Sequence, residues 1–152
     1  MESCKICIMG IYIGKLPSYF NVWLKSCELN STIDFIVITD QLINNVPHNV
    51  RIINMSLYEV REKISSKVGF DVVIDTPFKL CDFKPAYGFI FHDLFDGYDY
   101  WGHCDFDLIF GDLRSFFVKF NLTKYDKFLP MGHLSLYRNN KENNVKFMEE
   151  VS

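Results

Sequence analysis

Ile6-Cys7-Ile8-Met9-Gly10-Ile11-Tyr12-Ile13 is an unbroken apolar run near the start of the chain. A strand with one wet face alternates between apolar and polar residues. A strand without alternation has to be covered on both faces, the condition of a parallel sheet packed between helices. The run is too short to cross a membrane, which takes roughly 20 apolar residues in a helix. The reading is therefore a buried strand over Lys5–Ile13. Gly14-Lys15-Leu16-Pro17 breaks it.

The elements that follow keep to this plan. Pro17 suits a first helical turn, and Tyr19, Phe20, Trp23, Leu24 and Cys27 recur at helical spacing until Asn30 and Ser31. Ile33–Thr39 is a second buried strand, ending at Asp40. Val50–Met55 is a third, after the Asn44-Asn45-Val46-Pro47 loop. Ser56 reads as the N-cap of a helix from Leu57 to about Lys67. Strand, helix, strand, strand, helix is the opening of a parallel α/β domain, whose ligands bind beyond the carboxyl ends of the strands. That rule nominates the Tyr12–Leu16 turn and the end of the second strand at Asp40.

Further along, Asp82 is expected to open a helix that tolerates Pro85 in its first turn, carries Tyr87, Ile90, Phe91, Leu94 and Phe95 on one stripe, and stops at Gly97. Tyr98–Cys104 reads as a strand and Ile109–Phe120 as a helix or helical turn. Lys127–Met131 and His133–Tyr137 read as short strands around Gly132, and Asn139–Val151 as a closing helix. At 152 residues, 49% of them hydrophobic, the chain fits a single domain over 1–152 with a real core rather than a disordered segment.

Charge and cysteine content exclude several classes. The net charge of -3 lacks the basic footprint of a nucleic-acid binder. The first residues lack the basic start and long apolar core of a signal peptide. The five cysteines are an odd number, which favours a reducing, cytoplasmic setting. Asn30, Asn54 and Asn121 match a glycosylation pattern that has no meaning there. No transmembrane segment is expected, and peripheral membrane association is left open. Cys4 and Cys7 form a lone C-x-x-C with no second ligand pair, and their odd spacing puts them on opposite faces of a strand, so zinc is not expected. Gly10–Lys15 lacks the spacing and the Ser or Thr of a phosphate-binding loop.

The chemistry concentrates in Trp101-Gly102-His103-Cys104-Asp105-Phe106-Asp107-Leu108-Ile109-Phe110-Gly111-Asp112. In an extended chain Asp105 and Asp107 point the same way. Two carboxylates on one side at the end of a central strand repel each other, and a divalent cation with a preference for hard oxygen ligands resolves the conflict. Spacing alone leaves a second reading open: two exposed turn carboxylates capping the next helix. His103 is placed on the opposite strand face, packing or hydrogen-bonding there. His92 reads as a surface helix residue, and Asp112 as a cap for the turn after the site.

Two longer stretches carry a resemblance. Gly14-Lys15-Leu16-Pro17-Ser18-Tyr19-Phe20 with Trp23-Leu24-Lys25-Ser26-Cys27 is the first. Cys81-Asp82-Phe83-Lys84-Pro85-Ala86-Tyr87-Gly88, Tyr98-Asp99-Tyr100-Trp101-Gly102 and Asp105–Asp112 make up the second. Together they resemble a bacterial family, DUF6625, associated with polysaccharide biosynthesis, whose members look like GT-A glycosyltransferases. The resemblance implies a GT-A-like, mostly parallel sheet with helices on both faces. It implies that Asp105 and Asp107 hold Mn²⁺ or Mg²⁺ against the diphosphate of a nucleotide-sugar donor. Asp40 would lie near the nucleoside, with a helix or turn cap as its other reading, and Asp82 and Lys84 would face the donor's sugar and phosphate oxygens, with an N-cap and a solvated lysine as theirs. Independently of the resemblance, the strand-end rule brings Tyr12 to the same site, and Gly132 allows the close backbone approach by which His133 would line it. The acceptor would be a glycan or a lipid-linked precursor, bound by segments expected beyond residue 152. Two other functions compete: a domain that binds nucleotide sugar or a partner without turnover, and a phosphatase of the HAD class. The HAD class also uses D-x-D, but usually after its first strand.

Overall fold

The computed structural model describes residues 4–149. Six strands form one sheet in the order β3-β2-β1-β4-β6-β5. They are β1 (Ile6–Tyr12), β2 (Asp34–Thr39), β3 (Val50–Asn54), β4 (Tyr100–Cys104), β5 (Lys127–Phe128) and β6 (Leu134–Arg138). β1 pairs in parallel with both β2 and β4, and β2 pairs in parallel with β3. β6 runs antiparallel to both of its neighbours. The expected mostly parallel sheet, with the first two apolar runs side by side, is thus observed.

Helices cover both faces, which is why β1 and β2 do not alternate. On one face, α1 (Phe20–Leu29) and α4 (Leu113–Lys119) pack Phe20, Trp23, Leu24, Cys27, Leu113 and Phe117 against Ile6, Ile8, Phe35 and Val37. On the other, α2 (Leu57–Val68) and the segment around α3 (Tyr87–Ile90) pack Val60, Ile64, Tyr87, Ile90, Phe91 and Phe95 against Cys7, Met9, Ile36 and Ile38. Cys4 packs on the first face and Cys7 on the second, as their odd spacing requires.

Ser56 caps α2 as expected. Its side chain accepts from Glu59 N–H while the Glu59 carboxylate accepts from Ser56 N–H, a reciprocal capping box. Asp112 caps α4 one way only, its side chain accepting from Ser115 N–H. That cap starts α4 at Leu113, so Ile109–Asp112 is not helical. α1 also starts late, at Phe20, with Pro17 in the preceding turn, where its carbonyl accepts from Phe20 N–H at 3.0 Å.

The helix expected from Asp82 to Gly97 is replaced by three pieces. A run of 3₁₀ turns spans Pro77–Ala86, α3 follows, and a further 3₁₀ turn spans His92–Leu94. Pro85 is compatible with a first helical turn, yet the α-helical stretch starts only at Tyr87 and stops at Ile90. Asp82 therefore lies inside the 3₁₀ run and opens nothing. The strand expected over Lys127–Met131 ends at Phe128, because Leu129 turns the chain with φ 57°. The closing helix reduces to α5 (Lys141–Asn144) and a 3₁₀ turn Lys146–Met148, with Val151 outside the described residues. Among the described residues no helix is long and apolar enough to cross a membrane.

Candidate functional site

The strand order reverses at β1, whose neighbours β2 and β4 leave it in opposite directions along the sheet. At such a switch point adjacent connections part and a crevice opens beyond the carboxyl ends. The register shows where. β1 stays paired with β2 out to Tyr12↔Thr39, whereas its pairing with β4 stops at Met9↔His103. Past that point the two strands diverge. The space beyond them is a cleft of about 500 Å³ lined by Tyr12, Ile13, Tyr19, Phe78, Lys84, Asp105 and Asp107, among others. A volume of this size is in the range of small-molecule sites.

Phe106 sets the direction of the two acids. Its ring is buried, 4.7 Å from the Trp23 ring and in edge contact with Tyr12 at 5.7 Å. It lies so close over β1 that a Cβ on Gly10 would run into it. With the middle residue anchored in the first core layer, its neighbours Asp105 and Asp107 turn away from it and into the cleft. The two carboxylates therefore share one cavity at the end of β4, as the D-x-D spacing predicts.

His133 joins them. Its Nδ1 lies 2.8 Å from Asp105 Oδ2 and 3.5 Å from Asp107 Oδ1. One potential ligand atom from each of Asp105, Asp107 and His133 falls within 4.8 Å of the others. The other oxygen of Asp105, Oδ1, accepts from Lys84 Nζ. Burial works against the charge on Asp105, but the hydrogen bonds from Lys84 and His133 outweigh it and hold the carboxyl below its ordinary range. Burial likewise opposes the charge on Lys84, and Asp105 more than restores it, keeping the ammonium above its ordinary value. The pair is charged.

The remaining expected residues divide. Tyr12 and Lys84 line the cleft. Asp40 is exposed at the end of β2, where it accepts from Gly14 N–H at 2.9 Å and from Gln41 Nε2 at 3.0 Å. These bonds, the one from Gly14 first, lower its pKa and tie down the turn after β1. Asp40 thus supports the cleft's wall and does not line it. Asp82 is exposed and borders a separate cavity with Phe70, Phe83, Phe147 and Met148, so it does not join Lys84 in the cleft. His92 is exposed, as expected. His103 is on the same side as Asp105, not the opposite one, because two residues along a strand restore the face. It is buried beside the Tyr87 and Trp101 rings, and burial together with Lys84 pushes its pKa down to about 4.

Sequence reasoning missed two contributions. Pro77 and Phe78, from a segment with no legible period, form a wall of the cleft, with Phe78 largely exposed. Asn30, read only as a helix stop, is buried and donates to the carbonyls of Ser26 and Gly111 while accepting from Leu113 N–H. It ties the end of α1 to the segment that follows the two acids.

The model of a family of unknown function, DUF6625, matches residues 8–152. No curated protein matches the chain.

Proposed function

We propose that this chain, which belongs to the DUF6625 family, is a GT-A-type, metal-dependent glycosyltransferase domain. It would bind a nucleotide-diphosphate sugar and pass the sugar to a glycan or lipid-linked acceptor. The observation that carries this reading is the convergence of Asp105, Asp107 and His133 at the carboxyl end of β4, where the two acids line a cleft at the switch point of the sheet and His133 reaches them.

The donor set fits a divalent cation. Two carboxylates supply hard oxygens, and one imidazole suits Mn²⁺ better than Mg²⁺. The ion pair of the Lys84 ammonium with Asp105 supports reading this carboxylate as one that takes a positive partner. Asp105, Asp107 and His133 would hold Mn²⁺ or Mg²⁺, and the ion would stabilise negative charge on the departing diphosphate. Lys84 would pair with phosphate oxygens, and Tyr12 would border the nucleoside. Five free cysteines fit a reducing, cytoplasmic setting.

Calorimetric titration with UDP and GDP, with and without Mn²⁺, tests the proposal. The expected result is weak binding without metal and tighter binding with it, because without a cation the diphosphate faces two carboxylates across a partly dehydrated cleft. Equal affinity in both conditions would sink the metal-bridged reading. Slow, Mn²⁺-dependent hydrolysis of a nucleotide sugar would separate a transferase from a domain that only binds.

A further inference from the structure

We infer that Lys84 is an exchangeable internal counter-cation: it neutralises Asp105 while the site is free of metal, and moves to the diphosphate once a divalent cation takes that carboxylate. The inference rests on reading Asp105, Asp107 and His133 as metal ligands, and it adds an order and a coupling to that site.

The geometry requires a trade. Both oxygens of Asp105 are already engaged, Oδ1 by Lys84 and Oδ2 by His133. A cation on the three ligands needs a lone pair of Asp105 and brings two positive charges beside the ammonium. Lys84 must then give way, since like charges a few ångströms apart in a half-buried site repel strongly. It can do so without moving the backbone. Its ammonium is a point charge on a flexible four-carbon stem, it projects from the 3₁₀ run that walls the cleft, and it lines the same cavity as both acids. An incoming diphosphate offers it a new partner in that cavity.

The consequence is coupled binding. Lys84 competes with the metal for Asp105 and so weakens metal binding alone. The released ammonium then strengthens diphosphate binding. By linkage each ligand favours the other. A lysine that only stabilised the fold would weaken both ligands when removed. One that only bound phosphate would leave metal affinity unchanged.

The test compares the whole chain with Lys84→Met and Lys84→Gln, measuring Mn²⁺ affinity alone by the electron paramagnetic resonance signal of free Mn²⁺. Pyrophosphate affinity is then measured in saturating Mn²⁺. Removing the ammonium should tighten Mn²⁺ binding by about tenfold, as expected for losing one nearby like charge, and weaken pyrophosphate. Mn²⁺ binding by the variants but not by the wild type also supports the exchange. Unchanged or weaker Mn²⁺ binding in both variants overturns the exchange while leaving the metal site standing. No Mn²⁺ binding by any form overturns both.

Discussion

His133 Nδ1 lies 2.8 Å from Asp105 Oδ2 although the residues stand 28 positions apart. Their backbones touch as well: Asp105 N–H donates to the His133 carbonyl at 2.9 Å. The cause is the β4–β6 ladder, whose last pair is Cys104↔Leu134. One step further the antiparallel register sets residue 105 beside residue 133. Gly132, with φ 110°, lets the chain turn into β6 at that point. The hairpin thus delivers an imidazole to a pair of acids that chain order supplies by itself.

His133→Ala should weaken Mn²⁺ binding by about tenfold or more, since even indirect partners of metal ligands cost 10–100-fold. The side chain is 64% exposed, so its loss should change folding stability by no more than about 0.5 kcal/mol. Calorimetry and thermal unfolding of the same sample read the two effects separately. A large drop in stability with no change in Mn²⁺ affinity would make His133 a structural residue.

Asp107→Asn should shrink the benefit that Mn²⁺ gives to UDP or GDP binding, because one anionic ligand is lost with little change in volume. Metal-free binding should improve slightly as one repulsive charge disappears. The Asp107 side chain is 58% exposed, so the fold should tolerate the change. Titrations with and without Mn²⁺ read the difference, and an undiminished Mn²⁺ effect would remove Asp107 from the site.

Asn30→Ala should destabilise the protein by roughly 1–3 kcal/mol, the cost of leaving buried backbone groups unpaired. Those groups are the carbonyls of Ser26 and Gly111 and the Leu113 N–H. Urea unfolding measures it. Since the bonds to Gly111 and Leu113 hold the segment after Asp107, Mn²⁺ affinity should fall too, but less than for His133→Ala. A stability within 0.5 kcal/mol of wild type would show that this bridge carries no load.

Stability should fall with acid in two stages. His103 has its pKa lowered from 6.5 to about 4 by burial and by Lys84. A depressed pKa means that the unfolded chain takes up the proton first. The contribution is therefore complete above about 6.5 and is lost as pH drops toward 4, amounting to roughly 3 kcal/mol at most. Below pH 4 the carboxyls held low by hydrogen bonds follow: Asp112 by Ser115, Asp126 by Arg138 and Asp40 by Gly14. These also contribute above their ordinary pKa and lose it as they protonate. Thermal unfolding across pH 3–7, with His103 followed by nuclear magnetic resonance, checks both stages. A His103 that titrates near 6.5 would contradict the first.

The local order of this chain was legible because it depends on neighbours a few residues apart. Unbroken apolar runs marked β1 and β2 as strands covered on both faces, and Ser56 marked the start of α2. The spacing of Asp105 and Asp107 already implied two acids on one side, whereas the burial of Phe106 between them came from the packing of the core. The stretch around Pro85 reads as one α-helix in the sequence because apolar spacing is similar in α and 3₁₀ turns, so the pattern does not separate them. His133 beside Asp105, Lys84 on the same carboxylate and Asn30 beneath the following segment had no signature in the sequence. Each depends on a register or a crossing between distant segments, and such contacts are selected only when the whole core is packed and every buried polar group has found its partner.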